Sequence, residues 1–173
     1  KLLKSAHAVD REYRVMRSLG GTGVPVPRMV LLCTDESVIG SMFFVMEYVE
    51  GRVFWAPALP ELDAAGRTAV YDEMNKALAA LHMVDFAKVG LSDYGRPGSY
   101  FERQKSRWGD QYRASETSKI ADVETLLGWL KANVPADDGR VSLVHGDYRL
   151  DNMIFAKDAP KLLALIDWEL STL

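Results

Sequence analysis

Apolar positions along the chain recur first at helical spacing and then at strand spacing. Val9, Tyr13, Met16 and Leu19 fall on one helical face. They predict a helix from residue 6 to about 19, with Ser5 as its cap and Gly20-Gly21 as its stop. "VPVPRMVLLCT" enters extended through two prolines and predicts a strand over Met29 to Cys33. "SMFFVMEYVEG" predicts a second strand ending at Gly51, with the turn between the two strands at Asp35 to Gly40. The strongest helical pattern is "ELDAAGRTAVYDEMNKALAALHMV", where Val70, Met74, Ala77, Leu78 and Leu81 mark one face. After the loop "LSDYGRPGS" comes "SYFERQKSRWGDQYRAS", a helix expected to anchor through Phe101, Trp108 and Tyr112, with Gly109 as a weak point. A further helix is expected over roughly Ile120 to Asn133, ending before Pro135. Three short apolar runs follow, at 141 to 144, 153 to 155 and 162 to 166. Strands, then long helices, then small strands indicate segregated α and β elements, an α+β chain rather than repeated βαβ units.

Composition narrows the class. The 173 residues suit one domain, or one lobe and part of another, and 48% apolar with 26% charged residues is ordinary for a chain with a real core. A net charge of −3 gives no electrostatic case for nucleic acid or an anionic membrane as partner, and no apolar stretch reaches membrane-spanning length. The one cysteine, Cys33, lies in an apolar run and is expected to be a buried, reduced thiol in a cytoplasmic protein. "KLLKSAHAVD" shows no signal-peptide core and no initiator Met, and reads as cut from something longer.

The chemistry concentrates in "LVHGDYRLDNMIF" and "LLALIDWEL". If Met153 to Phe155 and Leu162 to Ile166 pair as a hairpin centred near Ala159, Asn152 lies almost opposite Asp167. Cross-strand neighbours sit about 5 Å apart, so two oxygen-bearing side chains would close on one hard cation. Mg2+ suits such a pair, because phosphate and water complete its shell. Asp147, five positions before Asn152, would be held beside the metal by a short loop. Phosphoryl transfer needs this arrangement: in-line positioning and neutralised phosphate charge, with an aspartate to orient the acceptor hydroxyl and take its proton.

"HGDYRLDN" followed by "IDWE" resembles the catalytic and metal-binding segments of aminoglycoside phosphotransferases, choline kinases and their relatives, the small-molecule branch of the protein-kinase-like superfamily. The resemblance implies a protein-kinase-like two-lobe fold, incomplete at both ends. Residues 1–50 would be part of the N-lobe, and residues 51–173 a helical C-lobe segment carrying the catalytic hairpin. It implies ATP as phosphate donor, with Asp147 as catalytic base, Asn152 and Asp167 as Mg2+ ligands, His145 bracing the loop, and Arg149 as a phosphate clamp. "DREYRVMRSL" resembles the helix whose glutamate pairs with the phosphate-gripping lysine, which makes Glu12 that candidate. "FFVMEYVEG" resembles the strand leading into the hinge, with Met46 as gatekeeper and the backbone of Glu47 and Val49 meeting adenine. "DYGRPGSYFERQKSRWGDQYRASET" is similar to bacterial phosphotransferases related to the kinase-like domain fused to certain animal acyl-CoA dehydrogenases. That likeness suggests an acyl-CoA, such as a 4-hydroxyacyl-CoA, or a hydroxy acid as acceptor. The glycine-rich phosphate loop and its lysine strand should precede residue 1. "GGTG" at 20 to 23 follows the helix and lacks the lysine of a P-loop, and Lys1 and Lys4 sit too near Glu12 to serve. The identity of the acceptor and the oligomeric state are not written in the sequence.

Plainer readings compete for single residues. Glu12 would be a solvated helix glutamate, and Arg149 would form an ion pair with Asp151 or a neighbouring acid. Arg103 and Arg107 would form a solvated face rather than grip a CoA phosphate, and Trp108 and Tyr112 would be core anchors. His82 would cap or pack, and His7 would lie on the surface. At the level of function the rivals are a catalytically silent kinase-like binding module and a metal-dependent phosphohydrolase.

Overall fold

The computed structural model describes residues 9–173. The expected helix start at residue 6, its Ser5 cap, and the readings of Lys1, Lys4 and His7 lie outside them. The chain forms two compact units: residues through Gly95 together with Ser142–Thr172, and Arg96–Val141 with Leu173. The lobe boundary expected near residue 50 falls within the first unit.

In that unit, α1 (Val9–Leu19) begins with Asp10 and Glu12 and ends with Arg17, charges that complement the helix dipole. It buries Tyr13, Val15, Met16 and Leu19 and packs on a two-stranded sheet of β1 (Met29–Cys33) and β2 (Phe43–Met46). Full burial of such side chains stabilises by roughly 1.5–3 kcal/mol each, so packing rather than helix propensity fixes α1 in place. The strands are antiparallel, with Met29 opposite Met46 and Cys33 opposite Phe43. Among the described residues α1 is the helix packed on this sheet, and Val30, Leu31 and Val45 stay exposed. Cys33 is half-buried rather than buried as expected, its thiol 3.7 Å from the Asp35 carbonyl.

Beyond β2, the Glu47 N–H donates to the Arg28 carbonyl (2.9 Å). The chain then crosses at Gly51 to meet β3 (Met153–Phe155), where Arg52 and Phe155 exchange backbone hydrogen bonds of 2.7 and 2.8 Å. A Cβ at residue 51 would stand 2.4 Å from the Phe155 carbonyl oxygen, so only glycine permits this approach. Phe54 packs edge-on against Phe155 at 5.3 Å. α2 (Ala64–His82) is capped by Asp63, whose side chain accepts from the Gly66 N–H at 2.7 Å. It buries Val70, Ala77 and Leu81 and packs on β4 (Leu162–Leu165), the antiparallel partner of β3. Met74 and Leu78 on the same face are half-buried, and His82 is exposed.

The second unit holds α3 (Tyr100–Ser115) and α4 (Ala121–Ala132), close to the expected spans. Neither helix buries a residue, which corrects the expectation that Phe101, Trp108 and Tyr112 are core anchors. Phe101 and Trp108 are exposed, and Tyr112 is half-buried. Within this unit, two helices packed on each other leave an open apolar groove where a third layer would be needed to make a core. No helix among the described residues is long and apolar enough to cross a membrane.

Candidate active site

The loop from Leu143 to Asn152 is held at several points. Val144 pairs with Thr172 through backbone bonds of 2.8 and 3.0 Å. Gly146 has φ +90°, and a Cβ there would meet the Leu170 carbonyl oxygen at 2.4 Å, so the centre of "HGD" must be glycine on two counts. His145 is buried. Its Nδ1 accepts the Asp147 N–H (3.3 Å), which leaves the hydrogen on Nε2 to donate to the Ile166 carbonyl (3.1 Å). That is the neutral tautomer, and burial pushes the imidazole below its usual value in the same sense. His145 therefore links the Asp147 loop to the segment that carries Asp167, and its ring packs at 4.5 Å, tilted by 50°, against the fully buried Trp168. Tyr148 donates to the Met74 carbonyl (2.7 Å), tying the loop to α2, and burial raises its hydroxyl to about 12.

A single 3₁₀ turn, Leu150–Asn152, delivers Asn152 to the start of β3. The Asn152 amide nitrogen donates to the Asp147 carbonyl and to its carboxylate, each at 3.0 Å. Its oxygen is thereby turned away from Asp147. Across the hairpin, the Ile166 N–H donates to the Asn152 carbonyl (3.0 Å), so Asp167 is the next residue past the one facing Asn152. The register is Met153 with Leu165 and Phe155 with Leu162, with a bulge between Ile154 and Phe155. Asp167 itself has φ +63°, a left-handed backbone that costs a non-glycine residue about 1–2 kcal/mol.

Among the described residues, no three His, Cys, Asp or Glu side chains gather as a metal-binding group. Asn152 and Asp167 instead offer an amide oxygen and a carboxylate at one end of the hairpin. This all-oxygen pair fits Mg2+, which takes few protein ligands when phosphate is present.

The other expected site residues are placed as follows. Glu12 is half-buried on α1 and accepts the Trp168 N–H at 3.2 Å. Burial raises its carboxyl above the usual range, the Trp168 hydrogen bond opposes the rise, and the charges of Asp167 and Glu169 add to it. It is not a solvated helix glutamate. Arg149 is exposed and makes an ion pair with Asp151 through Nε. Met46 ends β2, exposed Glu47 follows it, and Val49 is half-buried in the extended segment leading to Gly51.

Sequence reasoning missed two features. One is the Gly51–Arg52 junction, which fastens the segment after β2 to the strand that begins next to Asn152. The other is a cluster of buried Tyr94 and Ser171 with half-buried Arg11, beside Trp168. Tyr94 lies in a loop, where no periodicity flags burial, and its partners are far away in the chain.

The strand pair, the glutamate-bearing helix and the Asp–Asn–Asp hairpin together define a protein-kinase-like fold. The chain belongs to the Phosphotransferase enzyme family, whose pattern it matches over residues 2–173. A solved structure from Ralstonia eutropha, provisionally named an aminoglycoside phosphotransferase, is 54% identical with a TM-score of 0.89, over 95% of this chain and 50% of that one. "Acyl-CoA dehydrogenase family member 10" of Mus musculus is 47% identical over 99% of this chain, which spans 16% of its length. A streptomycin–ATP ternary complex of APH(2")-IIa shares the fold, with a TM-score of 0.65 at 20% identity over 94% of this chain and 55% of that one.

Proposed function

We propose that this chain is the catalytic segment of an ATP- and Mg2+-dependent kinase that phosphorylates a hydroxyl group of a small molecule. The observation that carries the reading is the Asn152 amide: its nitrogen donates to Asp147, which supports assigning its oxygen to a cation at the hairpin end that also bears Asp167. Asp147 orients the acceptor hydroxyl and takes its proton as the acceptor oxygen bonds to the γ-phosphorus. The bond from phosphorus to the bridging oxygen breaks, and ADP leaves. Asn152 and Asp167 hold Mg2+, which when bound neutralises phosphate charge. His145, neutral and buried, braces the two loops. Glu12 receives the phosphate-gripping lysine, whose charge would offset the burial of its carboxyl. Met46 stands as gatekeeper, and the Glu47 carbonyl and Val49 N–H meet adenine. The Glu47 N–H is already spent on Arg28, which supports using its carbonyl. Arg149 clamps phosphate by leaving Asp151, since an exposed ion pair opens at little cost.

In this reading residues 1–50 belong to the N-lobe and 51–173 to the C-lobe. The acceptor is a hydroxyacyl-CoA or hydroxy acid, supported by the 47% identity to an acyl-CoA dehydrogenase family member. The single thiol, unable to pair within the chain, supports a reducing, cytoplasmic setting.

The test is an acceptor screen with the full-length protein, measuring ATP consumption with hydroxyacyl-CoAs, hydroxy acids, amino alcohols and aminoglycosides. Acceptor-dependent ADP release, highest with a hydroxyacyl-CoA, is expected. ATP binding without turnover on any acceptor would favour a silent binding module. Hydrolysis as fast without acceptor as with it would favour a phosphohydrolase.

A further inference from the structure

We propose that Tyr94 is a positioning residue for the metal-binding turn: acting through Ser171, it fixes the Trp168 carbonyl and so holds Asp167 in its left-handed backbone. The inference rests on the phosphotransferase reading, which gives Asp167 its role.

A hydroxyl has one hydrogen to give, and that decides the direction of the chain. Ser171 Oγ donates to the Trp168 carbonyl, and the Ser171 N–H, three residues along, closes the turn on the same oxygen at 3.0 Å. Ser171 has then spent its hydrogen, so the Tyr94 hydroxyl donates to Ser171 Oγ at 2.6 Å, the shorter of its two contacts, the other being the Arg11 carbonyl at 3.3 Å. On the other side of the same residue, the Trp168 N–H donates to Glu12 at 3.2 Å. Both backbone polar groups of the residue after Asp167 are therefore anchored, the N–H by Glu12 and the carbonyl by the tyrosine–serine relay. Asp167 at φ +63° is an unfavourable conformation that persists only where its surroundings impose it.

Tyr94 is itself fixed independently of its hydroxyl. Arg11 on α1 lies 4.3 Å over its ring and donates to its carbonyl (2.9 Å) and to that of Ser171 (3.3 Å). Arg14, a turn further along α1, holds the same loop through the Gly90 carbonyl (2.8 Å) and Asp93. Tyr94 and Ser171 are both buried, where an unmade hydrogen bond is expensive and a made one specifies a geometry. Tyr94→Phe keeps the ring, the arginine contact and the packing, and removes the relay together with the longer contact of the hydroxyl to the Arg11 carbonyl (3.3 Å).

The experiment compares wild-type, Tyr94→Phe and Ser171→Ala forms of the full-length protein by two readouts. The first needs no metal: amide hydrogen exchange over residues 165–171. Loss of one buried hydrogen bond should speed exchange there by about 5-fold or more, while α2 amides keep their rates. The second is ATP binding at varied Mg2+. The Mg2+ requirement should rise by about 5-fold, and ATP affinity at saturating Mg2+ should stay within about 2-fold. The double variant should match Ser171→Ala, because Tyr94 reaches the Trp168 carbonyl through Ser171. Variants that lose only global thermal stability, with local exchange and Mg2+ requirement unchanged, would overturn the proposal and make Tyr94 a packing residue. A wild type without Mg2+-dependent ATP binding would overturn the phosphotransferase reading itself, and this inference with it.

Discussion

Asp147 and Asn152 hold each other, and this contact decides what substitution at either can reveal. An asparagine at 147 keeps the side-chain oxygen that accepts from the Asn152 amide at 3.0 Å but cannot take a proton. Asp147→Asn in the full-length protein should therefore lower turnover on the order of 10²- to 10⁴-fold, with nucleotide affinity nearly unchanged. Steady-state kinetics beside direct ATP binding separates the two, and an undiminished rate would remove Asp147 as base. His145 gives a second residue-scale expectation. Its folded-state value lies below the ordinary one near 6.5, so the unfolded chain takes up a proton first as pH falls. Stability should be constant above that pH, then decline as pH drops through about 6.5 until the folded protein also protonates. Urea unfolding across this range tests it, and His145→Gln should remove the decline attributable to this group. At this scale the sequence was legible where chemistry forces a residue type, as in "HGD" and "IDWE". The Arg149–Asp151 pair was foreseen as the plainer alternative, and the structure contains it.

Between elements, the functional geometry depends on one junction that sequence patterns do not encode. Strands β1, β2, β3 and β4 were each legible from short apolar runs, and the hairpin register fell within one residue of expectation because the connection closed by the Ala156 N–H on the Lys161 carbonyl is short. The join between Gly51–Arg52 and Phe155 was not legible, since it couples residues about a hundred positions apart through backbone groups alone. Glycine at 51 read as a strand terminator, whereas its role is close approach. Gly51→Ala should force Arg52 off β3, destabilise by roughly 2–4 kcal/mol, and weaken nucleotide binding in the full-length protein more than it weakens Mg2+ dependence. Calorimetric ATP titration with thermal unfolding measures both, and an alanine variant with wild-type stability and affinity would contradict the assigned role.

For the whole molecule, the α+β order was readable from segment lengths alone, and α2, α3 and α4 lie within a few residues of their expected spans. What failed was burial in α3 and α4: aromatic residues at helical spacing identify a face but not what covers it. The long-range cluster of Arg11, Tyr94 and Ser171 was hidden for a related reason, because burial in a loop leaves no periodic trace. Asn152 and Asp167 are proposed to form one cation site serving ATP. The most direct measurement is calorimetric titration of ATP into the full-length protein, with and without Mg2+, in wild type and Asp167→Ala. Mg2+-dependent ATP binding is expected in the wild type and should be abolished in the variant, while the variant stays folded. Equal Mg2+-dependent binding by both would mean that the metal is held elsewhere.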